Sequence, residues 1–271
     1  MIRVTIQGAA GRMGRMLVAQ VAANADMKLV GATEVPGSPL LGQDAGVVAG
    51  VGALDIVLTT DLDSCLAQSD VVIAFTAPDA TLEMARKAAA RNVAMVIGTT
   101  GLQASQKEEL ASLAKQGARI VFAPNMSVGV NLLFALCSQV ARILGDDYDI
   151  EVVEMHHNQK KDAPSGTAAR LGEILAEARG LSYDKNVAHG RFGLPGARPK
   201  NEIGMHSLRG GDVVGDHTVI FATSGERIEL THKASSRETF AKGAIRAARF
   251  LADAKAGYLR QQALSWPGLC L

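Results

Sequence analysis

The segment Glu151 to Ala168, EVVEMHHNQKKDAPSGTA, brings two adjacent histidines, two lysines and an Asp-Ala-Pro-Ser-Gly-Thr turn into one short stretch. An alternating run (Ile150, Val152, Val153, Met155) predicts a strand leading in, and alanine-rich sequence predicts a helix leading out. A helix start carries unpaired backbone N–H groups and a partial positive charge, which suits a carboxylate or a phosphate. Ser165 and Thr167 add hydroxyls at that start, and Lys160, just upstream, adds a full charge or a proton. The chemistry expected is an anion-holding site with its own acid. The plain alternative is a polar loop with a well-capped helix. The whole constellation favours the site, because clustered titratable groups mark functional positions.

A second set of residues lies at the amino terminus. Ile2 to Ile6 is a short β-branched run, Gly8-Ala9-Ala10-Gly11-Arg12-Met13-Gly14 follows, and Met16 to Ala23 has a helical pattern. Strand, glycine turn and helix form the dinucleotide-binding arrangement. Gly8 permits a tight turn, Gly11 lets backbone approach a pyrophosphate, and Gly14 lets the helix pack close to the sheet. The spacing is G-x-x-G-x-x-G rather than the commoner G-x-G-x-x-G. A second strand, Lys28 to Ala32, runs to Glu34, twenty residues after Gly14, where an acid binds ribose hydroxyls.

The elements that must hold these groups alternate through the first half. Strands are expected at Asp55 to Thr59, Asp70 to Phe75, Ala94 to Ile97 and Arg119 to Ala123. Helices are expected at Leu62 to Gln68, Thr81 to Arg91 and Gln103 to Lys115. Fully apolar strands such as DVVIAF indicate a sheet covered on both faces. The fold class expected is α/β, a Rossmann-like doubly wound parallel sheet. Its ligand crevice lies beyond the strand ends, where four segments converge. These are Gly8 to Met13, Glu34, Gly98-Thr99-Thr100, and Ala123-Pro124-Asn125-Met126.

From about Asn125 the pattern changes to one apolar helix, Val130 to Leu144, and then strands at Asp149 to Met155, Ile203 to Leu208, His217 to Ala222 and Arg227 to His232. A second α+β domain with a mixed, mainly antiparallel sheet is expected. Lys185 to Asn201 reads as a long loop. A final helix, Thr239 to Ala254, is expected to return to the first domain. The domains expected are therefore 1–126 with 237–271 for dinucleotide binding, and 127–236 for substrate binding and oligomerisation.

Bulk properties exclude several classes. Over 271 residues the net charge is +1 with no long basic run, which argues against nucleic acid. No apolar stretch reads as long enough to span a bilayer, and the start of the chain has no secretory pattern, so a cytoplasmic protein without a membrane partner is expected. Cys65, Cys137 and Cys270 form no C-x-x-C pair, which fits a reducing compartment and no structural zinc. His189, His206, His217 and His232 are scattered without metal spacing and read as structural. No metal is expected.

These motifs together resemble the 4-hydroxy-tetrahydrodipicolinate reductase family, formerly called dihydrodipicolinate reductase. The resemblance rests on EVVEMHHNQKKDAPSGTA, on Gly-Arg-Met-Gly at 11–14, and on Gly98-Thr99-Thr100-Gly101. Asn125-Met126-Ser127-Val128-Gly129-Val130-Asn131 and Thr231-His232-Lys233-Ala234-Ser235-Ser236-Arg237 complete it. It implies NADH- or NADPH-dependent reduction of an unsaturated nitrogen ring carrying two carboxylates, in the diaminopimelate route to lysine. It implies His156 as general acid/base and Lys160 as proton donor. It places His157 with Ser165, Gly166 and Thr167 on a substrate carboxylate, Thr100 against the substrate, and the chain in a homotetramer. NADH is expected to be favoured, because Glu34 would repel a 2′-phosphate and Val35 stands where relatives that use NADPH well often carry arginine. Two other readings are another two-domain NAD(P)-dependent amino-acid dehydrogenase and a non-catalytic nicotinamide-nucleotide sensor. The first does not need the Lys160 to Thr167 array, and the second predicts a degraded substrate site.

Overall fold

The computed structural model describes residues 1–253 and the backbone of 259–260, and it divides into two compact units. The first holds Met1–Ser127 and the chain from Glu238 onward, and the second holds Val128–Arg237. Cys270 and Ala254 fall outside the described residues.

In the first unit, strands and helices alternate as β1 (Ile2–Gln7), α1 (Arg12–Ala22), β2 (Met27–Thr33), α2 (Ala45–Ala49), β3 (Leu58–Thr59), α3 (Leu62–Ala67), β4 (Val71–Ala74), α4 (Pro78–Ala90), β5 (Ala94–Ile97), α5 (Ala104–Lys115) and β6 (Ile120–Phe122). The strands pair in parallel in the order β6-β5-β4-β1-β2-β3, and a further short strand, Leu259–Arg260, adds beside β6. The order reverses about β1, so the crevice for a ligand opens beside its carboxyl end. Val72, Ala74, Met95, Ile97 and Ile120 pack against Leu82, Met84, Ala85 and Leu110 of α4 and α5. Helix α1 and the returning helix Glu238–Asp253 cover the other face, and Gly243 of that helix sits against the Met126 carbonyl, where a Cβ would collide.

Three local departures have simple causes. Helix α1 begins at Arg12, four residues before the apolar period starts, because Gly11 is extended and Arg12 to Arg15 already follow helical geometry. Helix α4 begins at Pro78, since proline is preorganised for the first helical position and has no N–H to lose. The expected strand Asp55 to Thr59 shrinks to Leu58–Thr59, because Asp44 accepts N–H bonds from Gly46, Val47, Leu54 and Ile56 and gathers that backbone around helix α2.

The second unit begins with α6 (Val128–Leu144) and continues through β7 (Asp149–His156), α7 (Gly166–Ala178), α8 (Tyr183–Asn186), β8 (Val187–His189), β9 (Ile203–Arg209), β10 (Gly215–Thr223) and β11 (Glu226–Ala234); the returning helix of the first unit is α9 and the strand beside β6 is β12. The sheet runs β11-β10-β7-β9-β8, with two antiparallel neighbour pairs and two parallel ones. The loop expected over Lys185 to Asn201 is in part α8 and the edge strand β8, which pairs with β9 over Val187 to His189. A three-residue strand is too short for a period-2 signal.

By length and composition Val128–Asp147 is long and apolar enough to cross a membrane, contrary to the expectation that no stretch is. Its Val130, Leu133, Phe134, Cys137 and Ala141 are buried, and it packs on α7 and β11. It is a core helix of the second unit.

Candidate active site

In the first unit the turn after β1 is set by Gly8, whose φ of 73° favours glycine. The N–H groups of Gly8 and Ala9 both donate to the Thr33 carbonyl, at 2.8 and 3.0 Å, so this turn is clamped to the end of β2. Gly11 precedes α1 and has no side chain to cap it, leaving the N–H groups of the first turn, from Arg12 and Met13, at the helix start. A Cβ at Gly14 would collide with the Gly8 carbonyl and the Ala9 backbone, so only glycine lets α1 come this close. Glu34 closes the arrangement. Its carboxylate accepts from Ala10 N–H at 3.0 Å and from Val35 N–H at 2.9 Å.

Gly8, Gly11 and Glu34 line a cavity of about 470 Å³ together with Thr33, Val35, Thr60, Phe75, Thr76 and Lys87. An uncapped helix start, a glycine cradle and an acid at the end of β2 fit a dinucleotide. The acids Asp61, Asp63 and Glu83 also line this cavity, and the Lys87 ammonium is held by Asp63 at 2.7 Å.

The other strand-end residues are not in the lining of this cavity. Gly98 lies under the Phe75 ring, where a Cβ would collide with it. Thr99 is buried, with its hydroxyl 2.7 Å from that of Thr81 and accepting from Thr76 N–H at 3.1 Å. Its side chain therefore braces the loops after β4 and β5. Thr100 is exposed at the tip of β5. Ala123 and Met126 are buried, Pro124 is exposed, and Asn125 accepts from Ser127 N–H at 2.9 Å.

In the second unit, β7 alternates its burial, so Ile150, Val152, Glu154 and His156 share the face toward α7. Glu154 is fully buried, a carboxylate at a position where the neighbouring turns of the pattern place Ile and Val. It accepts from Arg209 through two guanidinium nitrogens, at 2.9 and 3.0 Å, and from Ser165 N–H at 3.1 Å. His156 Nδ1 lies 2.5 Å from its second oxygen. Burial opposes ionisation of Glu154, yet Arg209, His156 and the Ser165 N–H outweigh it and hold the carboxyl below its ordinary range. For His156 burial is the larger influence and lowers its pKa, with Glu154 pulling the other way and Lys160 and Arg209 adding to the fall.

Ser165 caps α7 by accepting from Ala168 N–H at 3.2 Å, and its hydroxyl also meets His217 Nε2 at 3.2 Å. His217 stands edge-on to His156, ring centroids 5.2 Å apart, and burial pushes its pKa down to about 3. Gly166 is exposed at the first position of α7, and Thr167 follows it. Lys160 holds Asp162 at 2.9 Å, in a loop whose His157 N–H donates to the Val213 carbonyl at 2.8 Å. Among the described residues no group of three His, Cys, Asp or Glu side chains is placed to hold a metal ion.

The structure therefore joins His156 and Ser165 through a carboxylate and leaves Lys160, Gly166 and Thr167 on the same loop and helix start. Such a set can hold an anion and move a proton beside it.

Comparison with known proteins agrees with this chemistry. Two family models match in sequence order: dihydrodipicolinate reductase, N-terminus, over residues 2–126, and dihydrodipicolinate reductase, C-terminus, over residues 129–264. The chain belongs to the dihydrodipicolinate reductase family. A 4-hydroxy-tetrahydrodipicolinate reductase of Syntrophotalea carbinolica is 49% identical over 262 residues, covering 97% of this chain and 98% of the relative. One of Hahella chejuensis is 53% identical over 251 residues, covering 93% and 94%. A dipicolinate-bound dihydrodipicolinate reductase from Paenisporosarcina sp. TG-14 superposes with a TM-score of 0.76 at 27% identity, over 97% of this chain and 98% of that one. The protein is thus a nicotinamide-nucleotide-dependent oxidoreductase of this family, and the readings as another amino-acid dehydrogenase or as a sensor fall away.

Two residues of this site, Glu154 and Arg209, are not among those expected from the sequence. Glu154 carried a signal, an acid two residues before His156 and so on the same strand face, inside an apolar alternation. Arg209 carried none, since only the parallel pairing of β9 with β7, His156 opposite Arg209, brings it there.

Proposed function

We propose that the protein reduces 4-hydroxy-tetrahydrodipicolinate to tetrahydrodipicolinate in the diaminopimelate route to lysine, with His156 as general acid/base and Lys160 as proton donor. The observation that supports the His156 role is the shared carboxylate of Glu154, which bonds both His156 and the residue that caps the proposed anion-holding helix start. The substrate is a cyclic dicarboxylate. Its carboxylates need donors, and the Ser165-Gly166-Thr167 start of α7 supplies N–H groups and a partial positive charge. His157 and Thr100 are assigned to the substrate as well. The Lys160 ammonium adds a full charge beside that start and a proton for the reduced ring.

When bound, the nicotinamide supplies the hydride. Gly8, Ala9, Ala10, Gly11, Arg12 and Met13 form the pyrophosphate turn, and Glu34 takes the ribose hydroxyls. Gly98, Thr99, Thr100 and Ala123 to Met126 border the nicotinamide end. NADH is favoured over NADPH, because the cavity beside Glu34 is rimmed by Asp61, Asp63 and Glu83, and the nearby lysine is already paired. The substrate domain is also assigned to oligomerisation as a homotetramer. Phe192 and Leu194 of that unit stand fully exposed and supply apolar surface for such contacts.

One assay tests the reading. Supplied with the product of the aldolase-type enzyme upstream, the protein should oxidise NADH and, more slowly, NADPH. No nicotinamide oxidation under those conditions would overturn it.

A further inference from the structure

Glu154 is a buried charge that substrate chemistry does not explain. A carboxylate with no solvent exposure is costly unless paired and fully hydrogen-bonded. Here it is paired twice over. Arg209 grips both oxygens, a two-pronged geometry that fixes the plane of the carboxylate. The same guanidinium donates to the Asp162 carbonyl at 2.6 Å, which ties it to the loop carrying Lys160. One Glu154 oxygen accepts from Ser165 N–H, and the other lies 2.5 Å from His156 Nδ1.

The consequences for His156 follow from its two ring nitrogens. An ionised carboxylate only accepts, so Nδ1 must carry a proton in this contact. The tautomer of an imidazole is set by the bond its other nitrogen makes. Nε2 is therefore the nitrogen left with a lone pair. Among the described residues no protein group hydrogen-bonds Nε2. It faces Gly215 of β10, where an added Cβ would stand 3.0 Å from Nε2 and 3.4 Å from Cδ2. The absent side chain keeps that nitrogen uncrowded.

We infer that Glu154, clamped by Arg209, is a positioning residue that holds His156 with its proton on Nδ1 and so assigns proton exchange to Nε2. This inference rests on the reading of His156 as the acid/base. During exchange Nδ1 keeps its proton against Glu154. Nε2 gains or loses one, and the imidazolium formed in between is offset by the carboxylate. The carboxylate also places the start of α7, so the acid/base and the anion site are set by one group. The charged and titratable groups facing His156 are Glu154 on its own strand, Arg209 on β9, His217 on β10, and Lys160 in the following loop.

The test uses the full chain with NADH. Nitrogen-15 shifts of the His156 ring should report Nδ1–H in the wild type. In Glu154→Gln the amide oxygen stays with Arg209 and its NH2 faces Nδ1, so the proton should move to Nε2. Turnover should then fall roughly 10–100-fold, the usual cost of removing an orienting partner. The KM for NADH should hold, and the acidic limb of the kcat/KM profile should move to lower pH. If that variant does not fold, Glu154→Gln with Arg209→Gln replaces the buried ion pair by neutral amides, and the same readouts apply. Gly215→Ala should lower turnover while leaving Nδ1–H in place. A wild-type ring protonated on Nε2, or a variant with unchanged ring shifts and turnover within twofold, would overturn the inference. His156→Asn separates it from the proposed function: near wild-type turnover there would sink the acid/base role, while the ring shifts would still decide what Glu154 does.

Discussion

The backbone N–H of Ala10 donates to the Glu34 carboxylate at 3.0 Å, which locks the acid ending β2 onto the glycine turn ending β1. Two strands paired in parallel are thereby tied again at their carboxyl ends, where the dinucleotide ribose would arrive. The second Glu34 oxygen accepts from Val35 N–H at 2.9 Å. A carboxylate held in this way keeps its charge at the end of β2, where it would repel a 2′-phosphate. The enzyme should therefore use both nicotinamides with NADH favoured. One missing charge-assisted contact is worth roughly 1.5–3 kcal/mol, so kcat/KM should differ by about tenfold to a hundredfold. Val35→Arg should move the ratio toward NADPH, and a wild-type preference for NADPH would contradict this account of Glu34.

His156→Ala and Lys160→Ala should each lower turnover on the order of 100-fold or more, the worth of a positioned acid. Both lie in the second unit, so affinity for NADH, measured by fluorescence titration, should barely change. Near wild-type turnover in either variant removes that residue from the chemistry.

Pyridine-2,6-dicarboxylate is a flat dianion with the substrate's charge pattern. It should inhibit competitively against substrate by occupying the α7 start at Ser165 to Thr167. A pattern competitive with NADH alone would place the anion site elsewhere.

Acid sensitivity should have a contribution from His217. Burial lowers its folded pKa to about 3, against about 6.5 for an unperturbed histidine. Between those values the unfolded chain binds a proton that the folded chain refuses, so stability rises with pH there. The contribution is complete above about pH 6.5 and is lost as pH falls toward about 3. His217→Asn should give a shallower fall of Tm between pH 7 and pH 4. Parallel curves for the two proteins would show that His217 does not set the slope.

Gly14→Ala should weaken both the fold and NADH binding. The new Cβ would meet the Gly8 carbonyl and the Ala9 backbone, neither of which is the loose end of a flexible side chain. Overpacking of this kind costs typically about 1–3 kcal/mol. Thermal melts with and without NADH should show a lower Tm and a smaller stabilisation by the cofactor. An unchanged Tm would mean that α1 is free to shift.

Much of this reductase was legible in one dimension because the signals are local. A β-branched run, a glycine turn and a helix follow one another within Ile2 to Ala23, so the dinucleotide motif needs no distant contact to be read. The turn Ser165-Gly166-Thr167 announces a helix start for the same reason, since capping is decided by residues within one turn. The apolar strands β4, β5 and β6 of the first sheet could be read because a covered parallel sheet leaves no polar face to interrupt them.

What the sequence left open was decided by residues that meet only after folding. The strand at Leu58–Thr59 was shortened by Asp44, more than ten residues away, and β8 exists because β9 offers it an edge. Thr99 is a motif residue by position, yet the fold buries its hydroxyl against Thr81. Most of all, residue order alone puts His156, Lys160 and Ser165 in one short segment, and thus sets which chemistry they could perform. Which nitrogen of His156 faces a carboxylate was set by Arg209, 55 residues from Glu154, through the parallel pairing of β7 with β9. Hydrogen bonds depend on distance and direction in space, and the chain alone carries neither until the sheet has closed.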